Sequence, residues 1–231
     1  MLKNINEVKK MKKKVYVSVS TDPVKEYQLV VEYAKQLQGV ADLLHCDIMD
    51  GKFVEAKTYD YRVVNNINQN SLIMLDVHLM CEEPIESLDD YLNAGANILT
   101  VHYEAFKDKN QIVEARNKIK KADALAGISV CPTTEIKDIK IYIHDIDVVL
   151  VMSVTPGASG QKFMSEALDR IKELAKIREE NNYKFKIEVD GGVTEDNVQE
   201  IIDAGADMIV SGSYVFKAKD RKEAIETLRG K

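Results

Sequence analysis

The chain has 231 residues, 45% of them hydrophobic and 30% charged, which is enough for a well-buried core and typical of a soluble globular protein. Its 32 Lys and Arg against 38 Asp and Glu give a net charge of −6, which argues against nucleic acid as a partner but still allows a local basic patch around an anionic substrate. No apolar stretch reaches the length of a membrane span, so no membrane partner is expected. The cysteines Cys46, Cys81 and Cys131 are odd in number and lack C-x-x-C spacing, and so read as reduced thiols of a cytoplasmic protein.

The lysine-rich run 9–14 reads as the end of a solvated N-terminal extension over residues 1–14. Residues 15–20 (V-Y-V-S-V-S) alternate with period two and predict a first strand; Asp22-Pro23 then offers an N-cap and first-turn proline for a helix to about residue 38. A second strand is expected over 43–48 and a weaker helix over 59–68. The third strand, 71–80, precedes a helix over 84–94. The fourth, 98–102, precedes a helical pattern ending at residue 121. The fifth, 126–130, is followed by a short helix over 134–143. Residues 147–154 (D-V-V-L-V-M-S-V) form the most apolar strand, as burial on both faces of a parallel sheet requires. A long amphipathic helix over 165–180, a strand over 185–190, a helix over 195–204, a strand over 207–211 and a helix over 220–229 complete the pattern.

Eight strands, each followed by a helix, predict an α/β fold of the (β/α)8 or TIM-barrel type, a closed parallel sheet in one domain. Gly95-Ala96-Asn97 and Gly205-Ala206-Asp207, echoed by residues 39–42, place a helix-closing glycine before each polar strand start. An open doubly wound sheet is the alternative, because strand count alone does not prove closure.

Catalytic groups of a barrel gather at the C-terminal ends of its strands. The second strand brings His45 and Asp47 to one face, the third brings His78 with Asp76, and the seventh ends on Asp190. Ionisable groups on otherwise apolar strands are costly unless a metal, a charge partner or a substrate meets them. His45, Asp47, His78 and Asp190 form a plausible set for one divalent metal ion: zinc, iron(II), manganese or cobalt. Asp76 and Glu188 lie one layer deeper, where they can orient the histidines. A polar ion-pair layer inside the barrel is the competing reading.

The glycine turns Gly191-Gly192, after the seventh strand, and Gly212-Ser213, after the eighth, sit where barrels bind phosphate through backbone N–H groups. Residues 155–161 (T-P-G-A-S-G-Q), with Gly157 and Gly160, form a loop suited to close over a ligand.

The stretches H-C-D-I-M-D-G-K-F-V (45–54), D-V-H-L-M (76–80), V-M-S-V-T-P-G-A-S-G-Q-K-F (151–163), E-V-D-G-G-V (188–193) and V-S-G-S-Y-V-F (210–216) resemble ribulose-phosphate 3-epimerases and the related hexulose-phosphate 3-epimerases. The resemblance runs from about residue 15 to 216. It implies that His45, Asp47, His78 and Asp190 bind the metal and that Asp47 and Asp190 are the acid–base pair. It implies too that Met49, Met80 and Met152 flank the reacting carbons, that the glycine loops hold the sugar phosphate, and that a first-strand serine, Ser18 or Ser20, touches substrate. The expected reaction is epimerisation at C3 of D-ribulose 5-phosphate to D-xylulose 5-phosphate, with no redox cofactor and with both carboxylates raised toward neutral pKa. A homo-oligomer is expected.

The chain departs from the family pattern at Glu55-Ala56-Lys57 and at Tyr59-Asp60-Tyr61. Cys131 stands where an amide is usual, and Ala158-Ser159 alters the loop after the sixth strand. Epimerisation of a ketohexose phosphate and a non-catalytic sugar-phosphate-binding barrel are the alternatives. Barrel decarboxylases carry a lysine two residues after the third-strand Asp, where this chain has His78.

Overall fold

The computed structural model describes residues 14–24 and 26–230, so the lysine-rich extension lies almost wholly outside the described residues. In chain order the elements are β1 (Tyr16–Ser20), α1 (Tyr27–Leu37), β2 (Leu43–Met49), α2 (Tyr61–Asn70), β3 (Met74–Met80), α3 (Leu88–Asn93), β4 (Ile98–His102) and α4 (Asn110–Lys121). They continue with β5 (Leu125–Val130), α5 (Ile136–Ile139), β6 (Val148–Met152), α6 (Ala167–Glu180), β7 (Lys186–Asp190), α7 (Val198–Ala204), β8 (Met208–Ser211), α8 (Ser213–Lys217) and α9 (Arg221–Leu228). The strands pair in parallel and in sequence order, and β1 pairs β8, so the sheet is a closed barrel. Closure removes the open doubly wound sheet from consideration.

The strands are short, apolar and rich in β-branched residues, and β6 is buried along its whole length. The helices bury one stripe each. In α6 that stripe is Ala167, Ile171, Leu174 and Ile177, at helical spacing, and each large apolar side chain there contributes roughly 1.5–3 kcal/mol. Inside the barrel Leu43, Ile98, Val148 and Met208, from alternate strands, make a buried layer that plugs the N-terminal end.

The glycine-then-polar pattern has a physical role. Gly39, Gly95 and Gly205 have φ of 77°, 97° and 124°, which a glycine adopts without strain. The polar residue beside each even-numbered strand then accepts a main-chain N–H from the preceding odd strand. Asp42 Oδ2 takes Val17 N–H at 3.0 Å, Asn97 Oδ1 takes Leu75 N–H at 2.7 Å, Asp147 Oδ2 takes Ala126 N–H at 2.9 Å and Asp207 Oδ2 takes Ile187 N–H at 2.9 Å. These bonds satisfy main-chain N–H groups that lie opposite the residue just before the neighbouring strand begins.

Several boundaries differ from the sequence reading. Asp22-Pro23 belongs to a turn closed by Val24 N–H on Thr21 O, and α1 starts only at Tyr27. Helix α2 starts after Asp60, whose carboxylate accepts the Arg62 N–H. Residues 134–143 hold the four-residue α5 and the start of a 3-10 turn at Ile143, and the helix read from 195 begins at Val198. In each case side-chain capping or a local turn displaced the pattern-based boundary.

Candidate active site

Strand β2 is buried at every position, and its inward face carries His45, Asp47 and Met49. In register, His45 pairs Asp76 and Asp47 pairs His78 across β2 and β3. His45 Nδ1 lies 2.6 Å from Asp76 Oδ2, and that oxygen also accepts the Ser18 hydroxyl at 2.7 Å. Because a carboxylate only accepts, this contact places a proton on His45 Nδ1 and leaves Nε2 facing the other acidic groups of the site. That Nε2 is buried without a hydrogen bond, 3.2 Å from Asp47 Oδ1 and 4.0 Å from Asp190 Oδ2. His78 Nδ1 comes within 3.0 Å of Asp47 Oδ1 from the other side.

His45, Asp47, His78 and Asp190 thus offer two imidazole nitrogens and two carboxylate oxygens, all within 4.8 Å of one another. A buried ring nitrogen with no hydrogen-bond partner, beside two carboxylates, is a position that a divalent cation fits in place of a proton. These residues fit a metal.

The electrostatics of the two carboxylates are unequal. Asp47 is buried, but His45 and then His78 outweigh the cost of burial and hold it below the usual carboxylate range. Ser20 adds a hydrogen bond of 3.1 Å to Asp47 Oδ2. For Asp190, burial and then the Asp47 charge push the pKa up to about 6. The expectation that both would be raised therefore holds for Asp190 and fails for Asp47, whose charge meets two histidines and a hydroxyl. Burial also works against a charged His45, yet Asp76 and Asp47 keep its pKa well above the ordinary value. Below them Glu188 is pushed far up by burial and by Asp76, so it stays protonated.

Above this cluster opens a cavity of about 510 Å³. Asp47 and Asp190 line it, as do Met49, Met80 and Met152, the glycines Gly157, Gly160, Gly191, Gly192 and Gly212, and Ser213. The three methionines are nearly fully buried and form an apolar, non-titrating wall. Ser18 is the exception. Its hydroxyl points into the barrel at Asp76, and Ser20, two residues on and on the same face, borders the cavity instead. The register of β1 against β2 (Ser18 to Leu43, Ser20 to His45) sets this depth, and no pattern within β1 reveals it.

The loop after β6 is tied to the rim. A Cβ on Gly192 would lie 2.4 Å from Phe163 N and 2.7 Å from Gln161 O, so this backbone packs directly on the Gly191-Gly192 turn. Ser153 Oγ donates to Asp190 O at 2.8 Å and Gly191 O at 2.7 Å, fixing the end of β7. Neither contact was foreseen from sequence.

A second cluster was missed. His102, at the end of β4, is fully buried, with Nδ1 3.1 Å from Glu104 Oε2 and Nε2 2.9 Å from His78 Nε2. Burial lowers its pKa to about 4. Glu104 falls to about 2: burial opposes the shift, but His102 and Thr134 outweigh it. Beside them burial, with Glu104 adding to it, pushes the Cys131 thiol up to about 12. The signal was available, since V-H-Y-E repeats the histidine-at-strand-end device of β2 and β3.

The sequence profile of the ribulose-phosphate 3 epimerase family matches residues 14–216. The chain belongs to that family. Ribulose-phosphate 3-epimerase of Aquifex aeolicus is 40% identical over 184 residues, covering 80% of this chain and 82% of the relative. The Bacillus subtilis protein of the same name is 40% identical over 194 residues, covering 84% and 88%. Among solved structures, 3-keto-L-gulonate-6-phosphate decarboxylase from Vibrio cholerae superposes with a TM-score of 0.70 at 12% identity, over 94% of this chain and 96% of that one. A likeness that distant shows the barrel alone. Like its family, the chain is a carbohydrate isomerase, and epimerisation of a pentose phosphate is the activity its relatives' names support. No described helix is long and apolar enough to cross a membrane.

Proposed function

We propose that the protein interconverts D-ribulose 5-phosphate and D-xylulose 5-phosphate by metal-dependent proton transfer at C3. The observation that carries the reading is the unequal pair Asp47 and Asp190, both lining one cavity and both beside Nε2 of His45. Two carboxylates with pKa values driven apart suit opposite tasks at a given moment: one accepts a proton while the other holds one. In one direction Asp47 removes the C3 proton, the electron pair is delocalised onto the C2 carbonyl oxygen to give an enediolate, and Asp190 returns a proton to the other face of C3. The reverse reaction exchanges these roles.

His45, His78, Asp47 and Asp190 would hold the divalent ion, with His45 oriented by Asp76. Bound there, the ion supplies positive charge for the substrate oxygens that become negative between the two transfers. Met49, Met80 and Met152 keep water from the reacting carbons, and the Gly191-Gly192 and Gly212-Ser213 turns offer backbone N–H groups to the phosphate.

The test is an assay of metal-replete protein against ribulose, xylulose and allulose phosphates, paired with metal analysis of protein purified without chelator. The reading expects turnover of the two pentose phosphates and near-stoichiometric metal that is lost in a His45→Ala, His78→Ala double variant. Preference for the hexose phosphate would move the substrate assignment. Equal metal content in the two proteins would sink the metal assignment.

A further inference from the structure

Strand β2 outruns its neighbour. β1 ends at Ser20, opposite His45, whereas β2 carries on to Met49. The Thr21 N–H still reaches His45 O at 3.0 Å, and there the chain turns away, with Thr21 O closing on the Val24 N–H. Asp47 and Met49 lie beyond the end of β1.

A residue from the loop after β2 fills the gap. Thr58 Oγ1 donates to Asp47 O at 2.7 Å and accepts the Met49 N–H at 2.9 Å. The Thr58 N–H donates to Met49 O at 3.1 Å. Its neighbours anchor it: Lys57 pairs Asp50 in an antiparallel bridge, and the buried Tyr59 bonds Thr21 Oγ1 through its hydroxyl.

We propose that Thr58 is a positioning residue whose hydroxyl stands in for a strand neighbour and fixes the end of β2, so that Asp47 and Met49 keep their place at the reacting carbon. The inference rests on the reading of Asp47 as an acid–base residue and extends it to a residue that does not line the catalytic cavity.

The main chain carries it. Carbonyl and N–H groups at the end of a buried strand need partners. One hydroxyl serves two of them here, donating to the first and accepting from the second. The two bonded residues are consecutive inward positions of β2, and both of their side chains line the cavity, so the pair of bonds holds that stretch of the wall in place. Asp190 is held in the same manner by a different residue. Ser153 Oγ donates to Asp190 O at 2.8 Å, as Thr58 Oγ1 does to Asp47 O. Each carboxylate of the pair thus has its own main-chain carbonyl tied by a hydroxyl from a loop, and the two ties are independent.

Thr58→Val tests this, because it keeps the shape and puts a methyl group where the hydroxyl was. A carbon sits about 3.3–3.6 Å from a carbonyl oxygen, so Asp47 O, 2.7 Å from Oγ1, must draw back by roughly 0.6 Å or more. With wild type and variant loaded with zinc to equal content, kcat is expected to fall about 10–100-fold. KM for ribulose 5-phosphate should change little, since the turns offered to the phosphate follow β7 and β8. Thr58→Ser, which restores the hydroxyl, should recover most of the rate.

Heavy water separates positioning from general loosening. The epimer that presents its C3 proton to Asp47 is the one that still exchanges in Asp190→Asn. Thr58→Val should slow exchange of that epimer more than of the other. Equal slowing of the two epimers, Thr58→Ser as slow as Thr58→Val, or Thr58→Val as fast as wild type overturns the proposal. If Thr58→Val does not fold, the wild type decides: the Met49 amide should exchange with solvent as slowly as amides in the middle of β2, and exchange as fast as at a free strand end overturns the proposal. Wild type with neither turnover nor C3 exchange fails the reading of the reaction by itself, and the Met49 amide then decides whether Thr58 holds β2.

Discussion

Adding one methyl group at Gly192 tests how the loop after β6 is held over the cavity. Gly192 has φ of +64°, and a Cβ there would sit 2.4 Å from Phe163 N, 2.7 Å from Gln161 O and 2.9 Å from Lys162 C. An ordinary contact needs about 1 Å more, so the backbone at 161–163 must retreat by roughly that distance, a misplacement of a size that can cost up to about 10²-fold in rate when it reaches a reacting geometry. The left-handed φ adds about 1–2 kcal/mol on its own. Gly160 is the matched control, with φ of +78° and nothing within 4 Å of an added Cβ. Gly160→Ala therefore carries the conformational strain without a collision with the protein, a fall in Tm of about 2–8 °C for a chain of this size. Gly192→Ala carries the same strain and the collision, and should raise KM for the sugar phosphate about tenfold or more above the control. Initial-rate kinetics and thermal unfolding of the two variants, side by side, decide it. If they behave alike, the loop does not rest on the Gly192 turn as described.

Metal affinity should depend on pH with a definite sign. Asp190, raised to about 6, and His45, held well above its ordinary value, must both lose their protons to act as ligands. Affinity should therefore weaken as pH falls, by about tenfold or more between pH 7.5 and 5.5 on the basis of these shifts, and a pH-independent affinity by calorimetry would contradict it. The two first-strand serines should separate. Ser18→Ala deprives the buried Asp76 of a donor at 2.7 Å and should cost about 1–3 kcal/mol in denaturant unfolding. Ser20→Ala removes a contact to Asp47 at the cavity edge and should lower kcat with a smaller loss of stability; the opposite pattern would reverse their assignments.

Period two on short apolar strands made the barrel and most of its site legible. His45 with Asp47, and Asp76 with His78, could be put on shared inward faces because side chains alternate along a strand. Depth was a different matter. Ser18 and Ser20 share a face and differ by one layer, and only the pairing of β1 with β2 shows which of them reaches the cavity. The difference between Asp47 and Asp190 was equally out of reach, since it comes from His45, His78 and Ser20, which converge on Asp47 from three strands. His102 carried the same strand-end mark as His45 and His78, yet its partners Glu104 and Cys131 come from the loops after β4 and β5. Helix starts were misplaced where a short turn, such as Thr21 to Val24, used up the capping residues first.

The proton transfers at C3 are the centre of the account, and heavy water reads them directly. Wild-type, metal-loaded protein acting on ribulose 5-phosphate should give xylulose 5-phosphate carrying solvent deuterium at C3. Asp190→Asn, loaded with metal to the same extent, should lose about 10²–10⁴-fold of epimerisation while the C3 proton of one epimer still exchanges through Asp47. Product formed without deuterium at C3, or an Asp190→Asn variant that epimerises at the wild-type rate, would contradict the two-carboxylate scheme.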